Sequence, residues 1–240
     1  MPSNIKGTAL VTGAAKRLGR EIALHLAKQG YGIALHYHTS KAQAMATAQA
    51  IYKLGRRCEL FSCDLSNESQ TLDLVPQVFK AFPNLNVLVN SASIFIPNQF
   101  GARDLTLFEA HWNVNFKAPY ILACSFARLV KKGQVINLID ANVVKYKTPY
   151  ADYLMTKKAL AEFTRMAAVQ WGPAIRVNGI SPGMILPPVN RPDDRLKRSR
   201  QIPLQRTGDP HYIMQSLQFI LDNDYLTGQI IATDAGEGLV

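Results

Sequence analysis

Tyr153 and Lys157 stand four residues apart in Tyr153-Leu154-Met155-Thr156-Lys157. On a helix that spacing points both side chains the same way, one turn above the other. A phenol alone ionises near pH 10, too high for proton transfer at neutral pH. An ammonium beside it favours the phenolate and lowers that pKa. At about 4 Å and an effective dielectric near 20 the attraction is of order 4 kcal/mol before desolvation. The pair therefore has the makings of a general acid/base. Thirteen residues before Tyr153, Asp140 ends the apolar run Gln134–Ile139. A carboxyl group there can pass a proton to the phenol or hold its hydroxyl. Tyr-x-x-x-Lys also arises in many ordinary helices, so its meaning depends on what positions it.

Upstream lies a glycine turn. The apolar run Thr8–Val11 opens into Thr12-Gly13-Ala14-Ala15-Lys16-Arg17-Leu18-Gly19, and helical spacing of Leu18, Ile22 and Leu26 follows, ending at Gly30. Strand, glycine turn and helix form the context in which backbone amides at a helix N-terminus take a pyrophosphate. Gly13 permits the tight turn, and Gly19 permits close approach of helix to strand. Arg17 occupies the place of a middle glycine. Gly13, Lys16, Arg17, Leu18 and Gly19 are thus expected to contact a dinucleotide.

At the end of the next strand, a site for NAD places an acid to bind the ribose 2′-hydroxyl. This chain instead reads His36-Tyr37-His38-Thr39-Ser40-Lys41. With Arg17 and Lys41, a histidine and two hydroxyls here suit a 2′-phosphate that a carboxylate would repel, and His36, Tyr37, His38, Thr39 and Ser40 are expected to contact the cofactor. The expected cofactor is NADP(H). Asp64-Leu65, after a third strand, places a carboxylate where the adenine amino group could donate to it. Asn90-Ser91-Ala92-Ser93, after a fourth, leaves room for a flat ligand, and Phe95 could stack on one. Asn115 falls between two helices expected over about 105–113 and 116–131, where an amide distorts the helix and can hold water.

These residues need a frame. Strands expected at 8–11, 31–36, 57–62, 87–90, 134–139, 175–180 and 228–234 alternate with helices, among them 42–54, 68–82, 153–171 and 210–221. That order makes an α/β fold, one doubly wound domain over 1–240 with a seven-stranded parallel sheet and ligands at the strands' C-terminal ends. Cofactor motifs fall mainly within 8–95 and catalytic ones within 115–183. Pro182-Gly183 turns the chain into a Pro- and Arg-rich segment, 184–205, long enough to act as a lid.

The chain has 240 residues, 48% hydrophobic and 18% charged, as in a globular protein. No apolar run reaches the roughly 18 residues of a membrane span, and the start lacks the apolar core of a secretory signal. A cytoplasmic protein with no membrane partner is expected. Net charge is +10, but the basic residues form no aromatic-interleaved stripe, which argues against nucleic acid. Cys58, Cys63 and Cys124 lack metal-ligand spacing, so reduced thiols and no metal are expected.

Together, Thr12-Gly13…Gly19, Asp64, Asn90…Ala92, Asn115, Tyr153…Lys157 and Pro182-Gly183 resemble the short-chain dehydrogenase/reductase family over nearly the whole chain. The resemblance implies a Rossmann-type fold, hydride transfer with a nicotinamide cofactor, and Pro182, Gly183, Met184 and Ile185 as further cofactor contacts. It also implies Tyr153 as proton donor, Lys157 holding the ribose, Asn115 supporting a relay water, and a homotetramer through the helices bearing Asn115 and Tyr153.

Departures from the family pattern narrow the chemistry. Asp140 stands where the family has serine, Arg17 replaces the middle glycine, and Asn90-Ser91-Ala92-Ser93 replaces Asn-Asn-Ala-Gly. All three are similar to the pteridine reductase group, as is His36-Tyr37-His38-Thr39-Ser40, with Thr39 where an arginine is common. The implied substrate is a pterin or folate met by Arg17, Ser93, Phe95, Asp140, Tyr153 and Met184, with Arg17 and Ser93 also on the cofactor phosphates. A carbonyl or 3-oxoacyl-thioester reductase would carry serine at 140. An NADP(H)-binding sensor without turnover is the alternative of another class, disfavoured by the intact Asp140, Asn115, Tyr153 and Lys157.

Overall fold

In the computed structural model, which describes residues 6–98, 104–187 and 193–240, the strands are β1 (Thr8–Val11), β2 (Gly32–Tyr37), β3 (Cys58–Ser62), β4 (Leu85–Asn90), β5 (Gly133–Leu138), β6 (Ile175–Pro182) and β7 (Ile230–Thr233). They form one sheet in the order β3-β2-β1-β4-β5-β6-β7, with every neighbouring pair parallel. The helices are α1 (Arg17–Lys28), α2 (Lys41–Lys53), α3 (Glu68–Ala81), α4 (Thr106–Trp112), α5 (Ala118–Leu129), α6 (Ala151–Trp171), α7 (Arg195–Ser199) and α8 (Pro210–Asp222).

Both sheet faces are covered, which is why the inner strands read as unbroken apolar runs. Alternate residues serve opposite layers. Ala9 and Val11 pack with Ile22 and Leu26 of α1, Ile51 of α2 and Leu217 of α8. Leu10 faces the other way, toward Leu74 and Val78 of α3 and Leu122 and Phe126 of α5. A one-residue slip of β1 would exchange these sets, so its register is strongly specified. Chain order reverses between β1 and β4. The crevice beyond their C-terminal ends is where such sheets bind ligands.

The helices expected over 105–113 and 116–131 are instead one run, α4 and α5 joined by a π-helical turn, Asn113–Lys117. Widened turns of this kind free backbone groups and cluster at functional sites. α6 begins at Ala151, two residues before the expected start. The expected lid contains the short α7, and its residues 188–192 lie outside the described residues. Cys58, Cys63 and Cys124 are unpaired thiols, and burial pushes Cys58 up to about 12 and Cys63 up to about 11. Among the described residues no helix is long and apolar enough to cross a membrane.

Candidate active site

At the reversal, Thr12 ties the two strand ends together. Its Oγ1 accepts from the amides of Ser91 and Ala92 at 2.9 and 3.0 Å. Gly13 follows at φ +65°, and a Cβ there would sit 3.0 Å from Ala92 Cα. A Cβ on Gly19 would lie 2.3 Å from the Gly13 carbonyl oxygen, so α1 can start this close to the strand only with glycine. The N-cap residue of α1, Lys16, makes no side-chain cap bond, and the first turn holds no acid. First-turn amides are left for an anion.

A cleft of about 510 Å³ runs from this turn past Lys16, Arg17, Leu18, His38, Thr39, Ser40, Asp64 and Leu65 to Ser91, Ala92, Ser93, Asp140, Tyr153, Lys157, Pro182 and Gly183. The length and polarity of this lining suit a dinucleotide. Tyr37 and His36 line it as well, but the expectation of His36 as a phosphate contact needs correcting. Its ring is buried, Nδ1 accepts from the Gly13 amide at 3.0 Å, and Nε2 lies 3.0 Å from the Cys63 carbonyl oxygen. Burial pushes its pKa down to about 4, so it is neutral at working pH. His36 braces the glycine turn; it belongs to an inner strand buried on both faces from Gly32 to His36. Asp64 faces the cleft with Oδ1 taking the Ser66 amide and hydroxyl and Oδ2 3.9 Å from His38 Nε2. The Ser66 hydrogen bonds hold its carboxyl below the usual range. Asn90 lies beneath the cleft, its Nδ2 donating to Asn137 Oδ1 at 2.9 Å.

That bond begins a buried polar ladder. Asn137 Nδ2 donates to Thr164 Oγ1 at 2.9 Å, joining β4, β5 and α6. A hydrogen-bonded network in a dry layer fixes rotation as hydrocarbon packing cannot, although Asn90 Oδ1 has no partner in it. It sets which face of α6 meets the sheet, and on that face lie Tyr153, Lys157, Leu160 and Thr164, all buried. Neither Asn137 nor Thr164 stands out in the sequence.

Tyr153 hydroxyl donates to Asp140 Oδ2 at 2.8 Å. The other carboxylate oxygen is anchored by the Asn142 amide at 2.7 Å and Asn142 Nδ2 at 2.9 Å. Lys157 Nζ donates to the Leu138 carbonyl at 2.7 Å and lies 5.9 Å from the Tyr153 ring centroid. Here the expected electrostatics reverse. Burial, and then the Asp140 charge and hydrogen bond, push the Tyr153 phenol well above its ordinary value. The lysine does not lower it, because the carboxylate stands closer to the hydroxyl. Burial also pushes Lys157 down to about 8, against the opposing pull of Asp140. Tyr153 therefore holds its proton firmly at neutral pH.

Asn115 is fully buried in the π turn. Its Oδ1 accepts from Ser93 Oγ at 3.0 Å and the Ile94 amide at 2.9 Å, while Nδ2 donates to the Ile94 carbonyl at 2.9 Å. These three bonds tie the side chain to the segment after β4. That segment carries Phe95, whose ring contacts Tyr153 edge-on at 4.6 Å. Tyr150 stacks on Phe95 at 4.3 Å and 10° between planes. Tyr150, just before α6, has a left-handed φ of 67°, rare for a bulky residue. Nothing in the sequence marks this contact.

A second cleft of about 480 Å³ opens on the far side of Tyr153, lined by Phe95, Asp140, Tyr150 and the far-side residues Met184, Ile185, Lys147, Arg195 and Arg198. Met184 and Ile185 fall here and do not line the first cleft. Arg17 borders both, its Nη2 donating to the Pro187 carbonyl at 2.8 Å. Arg195 is paired with Asp193, and Arg198 with Asp194 and Glu237. Phe95, Asp140 and Tyr153 line both clefts, so a phenol–carboxylate pair stands where two ligands would meet.

Residues 13–237 match the family model described as enoyl-(acyl carrier protein) reductase. Pteridine reductase 1 of Leishmania tarentolae is 31% identical over 96% of this chain and 96% of its own length. The 3-oxoacyl-[acyl-carrier-protein] reductase FabG of Staphylococcus epidermidis is 29% identical over 95% of this chain and 98% of its own. Among solved structures, FolM alternative dihydrofolate reductase 1 from Brucella suis in complex with NADP superposes with a TM-score of 0.91 at 32% identity, covering 99% of this chain and 97% of that one.

Proposed function

The chain belongs to the short-chain dehydrogenase/reductase family, and on that premise we propose that it is an NADPH-dependent reductase of dihydropterins, of dihydrobiopterin, dihydromonapterin or dihydrofolate type. The observation that carries the reading is the 2.8 Å hydrogen bond from Tyr153 to Asp140, facing both clefts beside Phe95. The cofactor is NADP(H); Gly13, Gly19 and the open N-terminus of α1 would take its pyrophosphate, and Arg17, His38, Thr39, Ser40 and Lys41 its 2′-phosphate. When bound, NADPH supplies a hydride to carbon.

The protein's part is the proton. A pterin presents a ring nitrogen that gains an electron pair as its neighbouring carbon is reduced. Tyr153, protonated and buried, offers its hydroxyl proton to that nitrogen. Asp140 Oδ2 keeps the hydroxyl aimed and takes up a proton from solvent to restore it. A carboxylate in this place suits a heterocycle better than a ketone, since it would repel the alkoxide a carbonyl substrate develops. Lys157, anchored on the Leu138 carbonyl, would hold the ribose. Phe95 supplies a flat wall against which a ring can stack. Assembly belongs to the same reading: Tyr120 on α5 and Met166 and Val169 on α6 are exposed, an apolar face that further copies would cover in a tetramer.

The test is NADPH oxidation with dihydropterins, dihydrofolate and a 3-oxoacyl thioester compared side by side. Turnover of the pterins or dihydrofolate with little of the thioester is expected. Turnover of the thioester alone refutes the reading, and NADPH binding with no turnover of any points to a sensor.

A further inference from the structure

Phe95 is held from both sides along the backbone. Asn115 takes the amide and carbonyl of Ile94. One helical turn earlier, His111 on α4 takes the next amide but one, with Ile96 N donating to its Nε2 at 3.3 Å. His111 is fully buried, and its ring lies 6.4 Å from that of Tyr153. Accepting an amide at Nε2 leaves that nitrogen without a proton, so the imidazole is the neutral Nδ1–H form. An apolar side chain would fill the same space without the desolvation that a buried imidazole carries. What the imidazole adds is the acceptor for Ile96 at Nε2, with Nδ1 turned toward the Leu107 backbone.

We propose that His111 is a positioning residue: with Asn115 it pins the backbone on either side of Phe95, holding that ring as a fixed wall against the Tyr153 ring. Its consequence for turnover rests on the reading of Phe95 as the stacking surface for a flat substrate. A pinned wall does not need to be ordered by the substrate, so binding retains energy that ordering would consume. His111 lines neither cleft and meets Tyr153 only ring to ring at 6.4 Å, so its effect belongs chiefly in KM.

The experiment uses the full chain with His111→Leu, which fills the space without an acceptor, and His111→Gln, whose amide oxygen can reach the Ile96 amide. Hydrogen exchange of the Ile94 and Ile96 amides is measured without substrate, and kcat, KM and NADPH affinity with the substrate the wild type turns over. In His111→Leu the Ile96 amide should exchange at least about fivefold faster, and KM should rise about five- to tenfold, within the two- to thirteenfold that about 0.5–1.5 kcal/mol for one hydrogen bond allows. Ile94 protection, kcat and NADPH affinity should stay within about twofold, and His111→Gln should recover most of the loss. Unchanged Ile96 exchange in His111→Leu overturns the clamp, whatever the substrate proves to be. Faster exchange with unchanged KM overturns its role in binding. Loss of kcat and NADPH affinity together, with no recovery in His111→Gln, reduces His111 to a general packing residue. Should His111→Leu not fold, the wild type still decides: an unprotected Ile96 amide overturns the clamp. A wild type that reduces only the thioester refutes the pterin reading and leaves the exchange result to judge the clamp alone.

Discussion

Asp140→Asn separates two jobs that the carboxylate can do. The substitution keeps the shape and, with its oxygen on Asn142, turns an amide NH2 toward Tyr153. The charge, the acceptor and the proton carrier are removed, and a neutral hydrogen bond remains. A hydrogen bond to a charged partner contributes about 1.5–3 kcal/mol net, and a neutral one about 0.5–1.5 kcal/mol. Aiming the Tyr153 hydroxyl is therefore worth the difference, about 1–1.5 kcal/mol, or about five- to thirteenfold in rate at 1.36 kcal/mol per decade. Moving the proton is worth about 10²–10⁴-fold. If Asp140 restores the proton, kcat falls at least a hundredfold, the larger of the two ranges. The sign of the pH effect follows from the charge. Asp140 helps hold the phenol above its ordinary value, so its neutralisation lets Tyr153 ionise at lower pH and brings forward the alkaline loss of activity. Steady-state NADPH oxidation with a dihydropterin reads the rate, and its extension to about pH 11 reads the phenol, which burial still holds above its ordinary value. A loss below about tenfold with an unshifted profile refutes the proton role and leaves Asp140 as a strut.

Further outcomes follow from other residues. Lys157 is protonated below about 8 and neutral above, so kcat/KM for NADPH should fall above that pH; Lys157→Arg, charged throughout, should move the fall to higher pH at reduced kcat. His36 has its folded pKa pushed down from 6.5 to about 4, so the unfolded chain binds the extra proton between those values. Stability is then complete above 6.5 and lost as pH falls toward 4, by about 3 kcal/mol at 1.36 kcal/mol per unit. Denaturant titrations of His36→Asn, which keeps an acceptor near the Gly13 amide, should lack that part of the slope; an identical slope would exclude His36 as its source. Thr39→Asp places a carboxylate on the 2′-phosphate side of the cleft and should raise KM for NADPH at least about tenfold, 1.4 kcal/mol, while sparing NADH.

The sheet and its helices were legible because each element's apolar period matched its burial. β1 and β4 are buried on both faces, and helices such as α1 keep one apolar stripe. The motifs marking Gly13, Gly19, Asp140, Tyr153 and Lys157 are local, and the fold brings them to one crevice. What could not be read depends on contacts across the chain. Asn115 looked like the break between two helices, since a π turn differs from an α turn in hydrogen-bond partner and not in residue pattern. His36 looked like a phosphate ligand because its neighbours are polar, although β2 is buried on both faces as far as His36. Tyr150 in a left-handed conformation lacks the glycine or asparagine that advertises one. The expected drop in the Tyr153 pKa came from counting the nearest charge in sequence, Lys157, before knowing how close Asp140 would stand.

The Tyr150–Phe95 stack makes the protein its own first ligand. An aromatic pair of this geometry is worth about 0.5–1.5 kcal/mol beyond its buried area. A visitor that wants the face Tyr150 covers must exchange with it, and its apparent affinity falls by about two- to thirteenfold. That toll is not the same for every visitor. A wide planar heterocycle returns the stacking energy it displaces, whereas a flexible acyl chain has no ring to offer. If substrate stacks on that face, the resident tyrosine would set a threshold of flatness ahead of the chemistry at Tyr153 and Asp140.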